Sequence, residues 1–173
     1  MLEDILIGAY LTILGLLAIF GFHRSQLTYL FFKTRHNVPK PAGHYLDAEL
    51  PKVLVQLPLF NERYVCERLI EAVSNFDYPI DRLEIQVLDD STDDTTEIAQ
   101  AKVEEVARRG FNISMIHRED RTGFKAGALE NGLSVTKSEF VAVFDADFIP
   151  PPSILRDTVH FFTDSKVGMV QAR

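Results

Sequence analysis

Beyond residue 51 the chain alternates short, apolar, β-rich runs with runs of helical period. That alternation predicts an α/β fold, a mostly parallel sheet with helices on both faces. A second observation places one N-terminal transmembrane helix in front of it: residues 5–22 carry no charge. A third concerns where the unusual polar residues fall. Asn61-Glu62, Asp89-Asp90 and Asp145 with Asp147 each follow an apolar run. In open parallel sheets, ligands bind beyond the carboxyl ends of the strands.

The uncharged run reads ILIGAYLTILGLLAIFGF, and only Tyr10 and Thr12 in it carry polar side-chain atoms. About 20 apolar residues cross a hydrocarbon core. With Met1, Leu2 and the LTYLFF run at 27–32, the stretch is long enough, so residues 1–32 are expected to form an anchor. The run is apolar on all sides, unlike a helix that lies in the interface. A cleaved signal peptide would have a basic leader and a small-residue cleavage site. Here Glu3 and Asp4 precede the run and GFHRSQ follows it, so an uncleaved anchor is expected. Arg24, Lys33, Arg35 and Lys40 all follow the span. The positive-inside bias then puts the body on the cytoplasmic side, of a bacterial inner membrane or a Golgi membrane alike. Residues 33–51 contain three Pro and one Gly and read as a linker to a domain over 52–173.

Composition narrows the body further. At 46% hydrophobic and 25% charged residues, the 173-residue chain is neither disordered nor low-complexity. Its single Cys, Cys66, cannot form an internal disulfide. Residues 1–43 hold two acids and four bases, which leaves 23 acids and 14 bases for the rest. An acidic body of this kind lacks the basic face that nucleic acid requires, so no nucleic-acid partner is expected.

The elements follow in order. Lys52 to Leu57 is a first strand, broken by Pro58. Arg63 to Asn75 is a helix, with Val65, Leu69, Ile70 and Val73 at helical spacing. Leu83 to Leu88 is a second strand. Asp93 and Asp94 are capping residues for the helix through Ile98, Ala101, Val103 and Val106, which Gly110 ends. Asn112 to Ile116 is a third strand, and Phe124 to Val135 a helix rich in Ala and Leu. Phe140 to Phe144 is a fully apolar strand, Ser153 to Phe162 a helix, and Lys166 to Val170 a last strand.

The chemistry sits at the strand ends. Asp145 and Asp147 lie two apart after an apolar strand, so their side chains point to the same side. Carboxylates so close repel unless a cation lies between them, and Mg2+ or Mn2+ takes such oxygen ligands and shares them with substrate phosphates. Asp89 and Asp90 are candidate acceptors for a base or a ribose, with helix capping as the alternative. Arg121, Lys125 and the amides near Gly123 could meet phosphate oxygens. The segment is neither G-x-G-x-x-G nor a Walker A loop, and PLFNE rather than a glycine-rich turn follows the first strand, which argues against NAD. The five His show no metal-ligand spacing.

In order, the stretches VQLPLFNE (55–62), QVLDDSTDDT (86–95), HREDRTGFKAGAL (117–129), FVAVFDADF (140–148) and VGMVQAR (167–173) resemble an inverting family 2 glycosyltransferase of the GT-A, Rossmann-like fold. Among its members the chain is similar to processive membrane synthases, the plant cellulose synthase-like mannan synthases and their bacterial relatives. The resemblance implies a UDP- or GDP-sugar donor, a polysaccharide or lipid acceptor at a membrane, and Mg2+ or Mn2+. It implies that Asp89 or Asp90 recognises the uracil or guanine end. Asn61, Glu62 and Lys125 would line the nucleotide pocket, Asp145 would face the ribose or phosphate side and join the metal site, and Asp147 would hold the metal. Full members carry a Thr-Glu-Asp-like base motif downstream of the VQAR region, so the general base is expected beyond Arg173 and the chain is expected to be a fragment. The alternative is a non-catalytic domain that binds a nucleotide-sugar or a partner. Haloacid-dehalogenase-like phosphatases also end a strand in DxD, but they do so after the first strand of the fold.

Overall fold

The structure, a computed structural model, describes residues 2–37 and 39–172. It divides into two units, Met1–Lys40 and Pro41–Arg173.

The first unit is one helix, α1 (Leu2–Thr34), which ends two residues beyond the anchor expected from sequence. It is long and apolar enough to cross a membrane. The hydroxyls of Thr12, Ser25, Thr28 and Thr34 each donate to the carbonyl four residues earlier, at 2.8, 2.9, 3.0 and 2.8 Å. Polar side-chain atoms satisfied inside their own helix are what a hydrocarbon environment demands.

The second unit is built on four parallel strands: β1 (Val53–Leu59), β2 (Leu83–Asp89), β3 (Asn112–His117) and β4 (Phe140–Val143), in the order β3-β2-β1-β4. Between and after them run α2 (Cys66–Ser74), α3 (Thr95–Arg108), α4 (Phe124–Leu133) and α5 (Ile154–Val159). One sheet face carries Val53, Val55, Leu57, Ile85 and Val87. It packs with Leu69, Ile70 and Val73 of α2, with Ala99, Val103 and Val106 of α3, and with α5. Full burial of each such side chain contributes about 1.5–3 kcal/mol. The other face is covered by α4. There Gln56 Nε2 donates to Gln86 Oε1 and to the Leu129 carbonyl, both at 3.2 Å, so the two buried amides are tied to each other and to the helix. Gly132 permits this close approach, since a Cβ there would lie 2.6 Å from both amide groups.

Several boundaries differ from the sequence expectation. β1 runs through Pro58, because its ladder with β4 ends at Gln56↔Val143 and a missing N–H beyond that point breaks no ladder bond there. Residues 63–65 form a turn before α2. The helix expected over 153–162 is shorter and closes in a 3-10 turn, His160–Thr163. The strand expected over Lys166–Val170 is absent. That segment lies near the open edge of β4, where Val170 shares cavities with Val143 and Phe144, without ladder bonds. β4 is therefore an edge strand, with Val141 and Val143 exposed rather than fully buried.

The linker expected over 33–51 also divides. Its first two residues end α1, and its last third docks on the second unit. The Tyr45 N–H donates to His160 Nδ1 at 3.1 Å, and the Arg82 guanidinium donates to the carbonyls of Ala48 and Leu50. The Tyr78 hydroxyl donates to the Pro51 carbonyl at 2.7 Å, and burial pushes that phenol up to about 12. Leu50 is fully buried.

A charged network joins α2 to α3. Lys102 Nζ lies 2.8 Å from Glu71 and Arg109 lies 2.9 Å from it, and hydrogen bonding from Lys102 holds the Glu71 carboxyl down from 4.5 to about 2. The folded value lies below the unfolded one, so this contribution is complete above about pH 4.5 and is lost as pH falls toward 2. Urea unfolding across that window should show stability declining, with a shallower decline in Glu71→Gln.

Candidate functional site

Because all four strands are parallel, their carboxyl ends share one edge of the sheet. The chain builds outward from β1 to β2 to β3 and then places β4 on the other side of β1. The order reverses between β1 and β4, which is where open α/β sheets form a crevice. A cleft of about 360 Å³ opens there, lined by Pro58, Leu59, Phe60, Glu62, Asp90, Arg121, Lys125, Ala128, Asp145, Ala146 and Asp147.

The β1 side is set by Asn61, whose φ of 56° is in the left-handed region that Asn tolerates. Its N–H donates to Ser91 Oγ and its Oδ1 accepts from the Thr92 N–H, both at 2.9 Å. Asn61 thus ties the β1 loop to the β2 loop and does not itself line the cleft. Glu62 does, and its carboxylate has no hydrogen bond or ion pair among the described residues.

The two Asp at the end of β2 part company. Asp89 is fully buried; its Oδ1 accepts from the Ser91 N–H at 3.2 Å and its Oδ2 from Thr96 Oγ1 at 2.7 Å. The same Oδ2 lies 2.8 Å from His117 Nδ1. These bonds commit Asp89 to positioning the loops. Asp90 faces the cleft and receives Arg118 in a fork, Nε to Oδ1 at 2.8 Å and Nη2 to Oδ2 at 2.6 Å. The remaining Arg118 donors reach the Thr122 and Phe124 carbonyls at 3.3 and 3.1 Å. One guanidinium therefore shapes the whole turn from 118 to 124. The Thr122 hydroxyl and N–H, both on Asp120 Oδ1, stiffen it further and hold the Asp120 carboxyl below its ordinary range.

That turn carries Arg121 into the cleft. Its guanidinium lies over the Phe60 ring, 3.2 Å from the centroid, with Phe124 at 5.3 Å. Arg121 Nε is buried with no hydrogen-bond partner among the described residues, 4.0 Å from Asp90 Oδ2. In the first turn of α4, Lys125 pairs with Asp145. Gly127 sits against this start of α4, where a Cβ would meet the Thr122 carbonyl oxygen at 2.1 Å.

Asp145 and Asp147 open on the same cleft from the end of β4. Asp147 has no hydrogen bond or ion pair among the described residues. The pair fits a hard divalent cation such as Mg2+ or Mn2+, which takes one or two carboxylates and completes its shell with phosphate oxygens and water. Among the described residues no three His, Cys, Asp or Glu converge on one point, so the chain alone offers a partial shell.

Six of the eight residues singled out from sequence, Glu62, Asp90, Arg121, Lys125, Asp145 and Asp147, meet in this cleft, and Asn61 and Asp89 stand behind it. Of the two expected caps, Asp93 accepts from the Thr95 N–H at 3.0 Å, whereas Asp94 caps nothing and pairs with Arg63 at 3.1 Å. Sequence reasoning passed over Phe60 and the organising role of Arg118. It also left Asp89 and Asp90 undivided, although adjacent strand residues face opposite sides and only one of them could face a ligand.

The family model described as "Glycosyl transferase family 2" matches residues 55–173. Glucomannan 4-beta-mannosyltransferase 1 of Oryza sativa subsp. japonica is 48% identical over 128 residues, 71% of this chain and 25% of that protein. Glucomannan 4-beta-mannosyltransferase 2 of Arabidopsis thaliana is 45% identical over 132 residues, 73% of this chain and 25% of that protein. The chain thus spans about a quarter of the length of these relatives. Among solved structures, mannosyltransferase PcManGT from Pyrobaculum calidifontis, in complex with GDP-Man and Mn2+, superposes with a TM-score of 0.68 at 28% identity, over 82% of this chain and 41% of that one.

Gly127→Ala should force the Thr122 carbonyl outward and cost about 1–3 kcal/mol of stability. A lowered urea midpoint, with the Arg118–Asp90 fork lost in a crystal structure of the variant, would verify the packing role.

Proposed function

The chain belongs to glycosyl transferase family 2, and from that premise we propose that it forms the donor-binding part of a metal-dependent, inverting glycosyltransferase acting at a membrane. The observation that carries the reading is the cleft at the strand-order reversal, where Asp145 and Asp147 face Arg121 and Lys125. Such an array suits a nucleoside diphosphate: cations for its phosphates and a carboxylate pair for the cation it brings. Of the two donors the sequence leaves open, UDP- and GDP-sugar, the mannosyltransferase likeness supports GDP-mannose, and it supports Mn2+ as an occupant of the carboxylate pair. The plant relatives support a β-mannan-type glycan as acceptor. A β-linked product made from an α-linked sugar nucleotide requires inversion, hence one displacement. The α1 helix, long and apolar enough to span, supports work at a membrane with the body on its cytoplasmic side.

In this mechanism an acceptor hydroxyl oxygen attacks the anomeric carbon as the bond from that carbon to the diphosphate oxygen breaks. The hydroxyl proton passes to a base, and the nucleoside diphosphate leaves. Asp145 and Asp147 would hold Mg2+ or Mn2+, which would supply Lewis-acid neutralisation of the leaving group. Lys125 and Arg121 add positive charge on the facing wall. Arg121 Nε is a buried donor without a hydrogen-bond partner among the described residues, and the cationic guanidinium lies at the cleft wall. Asp90, held by Arg118, presents its remaining acceptor capacity to the nucleobase or ribose.

Asp147→Asn should abolish metal-dependent nucleotide binding while leaving the fold intact, since Asp147 is exposed and makes no internal bond. Calorimetric titration of GDP and UDP, each with Mn2+, into the full chain in detergent measures this. Undiminished binding by the variant would remove Asp147 from the metal site.

A further inference from the structure

We infer that Lys125 is a counter-ion held in reserve: it occupies Asp145 until a nucleoside diphosphate arrives, so that the divalent cation enters with the nucleotide rather than ahead of it. This rests on the donor-binding reading above and adds an order of events to it.

The charge pairing around the cleft carries the argument. Asp90 is matched by the fork from Arg118, and Arg121 stands 4.0 Å from the same carboxylate while stacked on Phe60. Among the described residues neither guanidinium pairs with a carboxylate at the end of β4. Lys125 does: its ammonium is paired with Asp145 although both side chains are more than half exposed. Of the two carboxylates suited to a cation, only Asp147 is then uncommitted.

At the pair that follows β4, a divalent cation arriving alone meets one open carboxylate and a positive charge beside the other. It must displace the ammonium or bind through Asp147 alone, and both routes are weak. A nucleoside diphosphate changes both terms together. Its oxygens give Lys125 an alternative anion, which frees Asp145, and they supply ligands to complete the cation's shell. The ammonium suits this exchange, being a compact charge on a flexible stem that trades one oxygen partner for another without the fixed geometry of a guanidinium. Lys125 thereby couples two ligands through one side chain, and the coupling is reciprocal: the cation tightens the nucleotide as much as the nucleotide tightens the cation.

The test is Mn2+ binding to the full chain in detergent, read from the electron paramagnetic resonance signal of free Mn2+, with and without GDP or UDP. Wild type should bind Mn2+ weakly alone and far more tightly with nucleotide. Removing one positive charge about 5 Å from a divalent ion should tighten Mn2+ binding in Lys125→Met on the order of tenfold without nucleotide, and the gain from nucleotide should shrink. Lys125→Arg, which keeps the charge, should bind Mn2+ alone no better than wild type. The inference is overturned if Lys125→Met binds Mn2+ alone no more tightly than wild type while wild type still takes up nucleotide with Mn2+. It is equally overturned if Lys125→Arg gains affinity as Lys125→Met does. If wild type takes up neither GDP nor UDP with Mn2+, the donor-binding reading fails and the inference falls with it. Circular dichroism on each variant confirms the fold, and Lys125→Gln repeats the charge removal should the Met variant misfold.

Discussion

Parallel pairing of β1 with both β2 and β4 is the constraint on which the remaining structure depends. Val53 to Leu59 meets Leu83 to Asp89 on one side, and Val53 to Gln56 meets Phe140 to Val143 on the other. Both ladders run the same way, so the loops after β1, β2 and β4 emerge together. A fourth loop, from Arg118 to Gly123, joins them because β3 pairs in parallel with β2. Residues nearly 90 positions apart in the chain, Phe60 and Asp147, thereby line one cleft. The ladder between β1 and β4 stops at Gln56↔Val143, three residues before the end of β1, which opens space beside the carboxyl end of β1.

Charge is distributed around that space in two tiers. The inner tier is committed: Asp89 holds His117 and Thr96, and Asp90 holds Arg118, which in turn holds the backbone at Thr122 and Phe124. Buried carboxylates are tolerable because both oxygens of each are hydrogen-bonded or ion-paired. The outer tier, Glu62, Arg121, Lys125, Asp145 and Asp147, is partly or wholly exposed and loosely paired. Rigid inner groups fix the backbone, and outer groups with few internal commitments are free to meet a charged ligand. This is the arrangement expected of a site whose ligand carries several charges and must also be released.

Two glycines on α4 set how close that helix comes. Gly132 lets it rest on the Gln56–Gln86 amide pair, and Gly127 lets its first turn accept the Thr122 carbonyl alongside. The same helix brings Lys125 to the cleft and Ala128 to its floor. Packing at the sheet and geometry at the site are thus one problem, solved by leaving out two side chains.

Much of this was legible in the sequence because it is local. Apolar, β-rich runs marked the strands β1 to β4, helical spacing or Ala- and Leu-rich composition marked the helices among them, and the DxD after FVAVF announced a carboxylate pair at a strand end. Parallel order followed from alternation alone, and with it the edge at which the chemistry gathers. Other features depend on neighbours that no local pattern encodes. Asp89 and Asp90 are chemically identical, and only the pleat of β2 between α3 and α4 sends one inward and one to the cleft. FVAVF looks buried on both faces, but β4 lies at the sheet edge with Val141 and Val143 exposed. Lys166 to Val170 has strand composition yet makes no ladder. Tyr45 to Pro51 has linker composition yet docks through Arg82, His160 and Tyr78. The sequence by itself determined which residues could form strands, helices and an oxygen-rich cation site, because those depend on side-chain shape and charge within a few positions. Which of them face the cleft was decided by the tertiary structure, because facing is set by register and by packing partners distant in the chain.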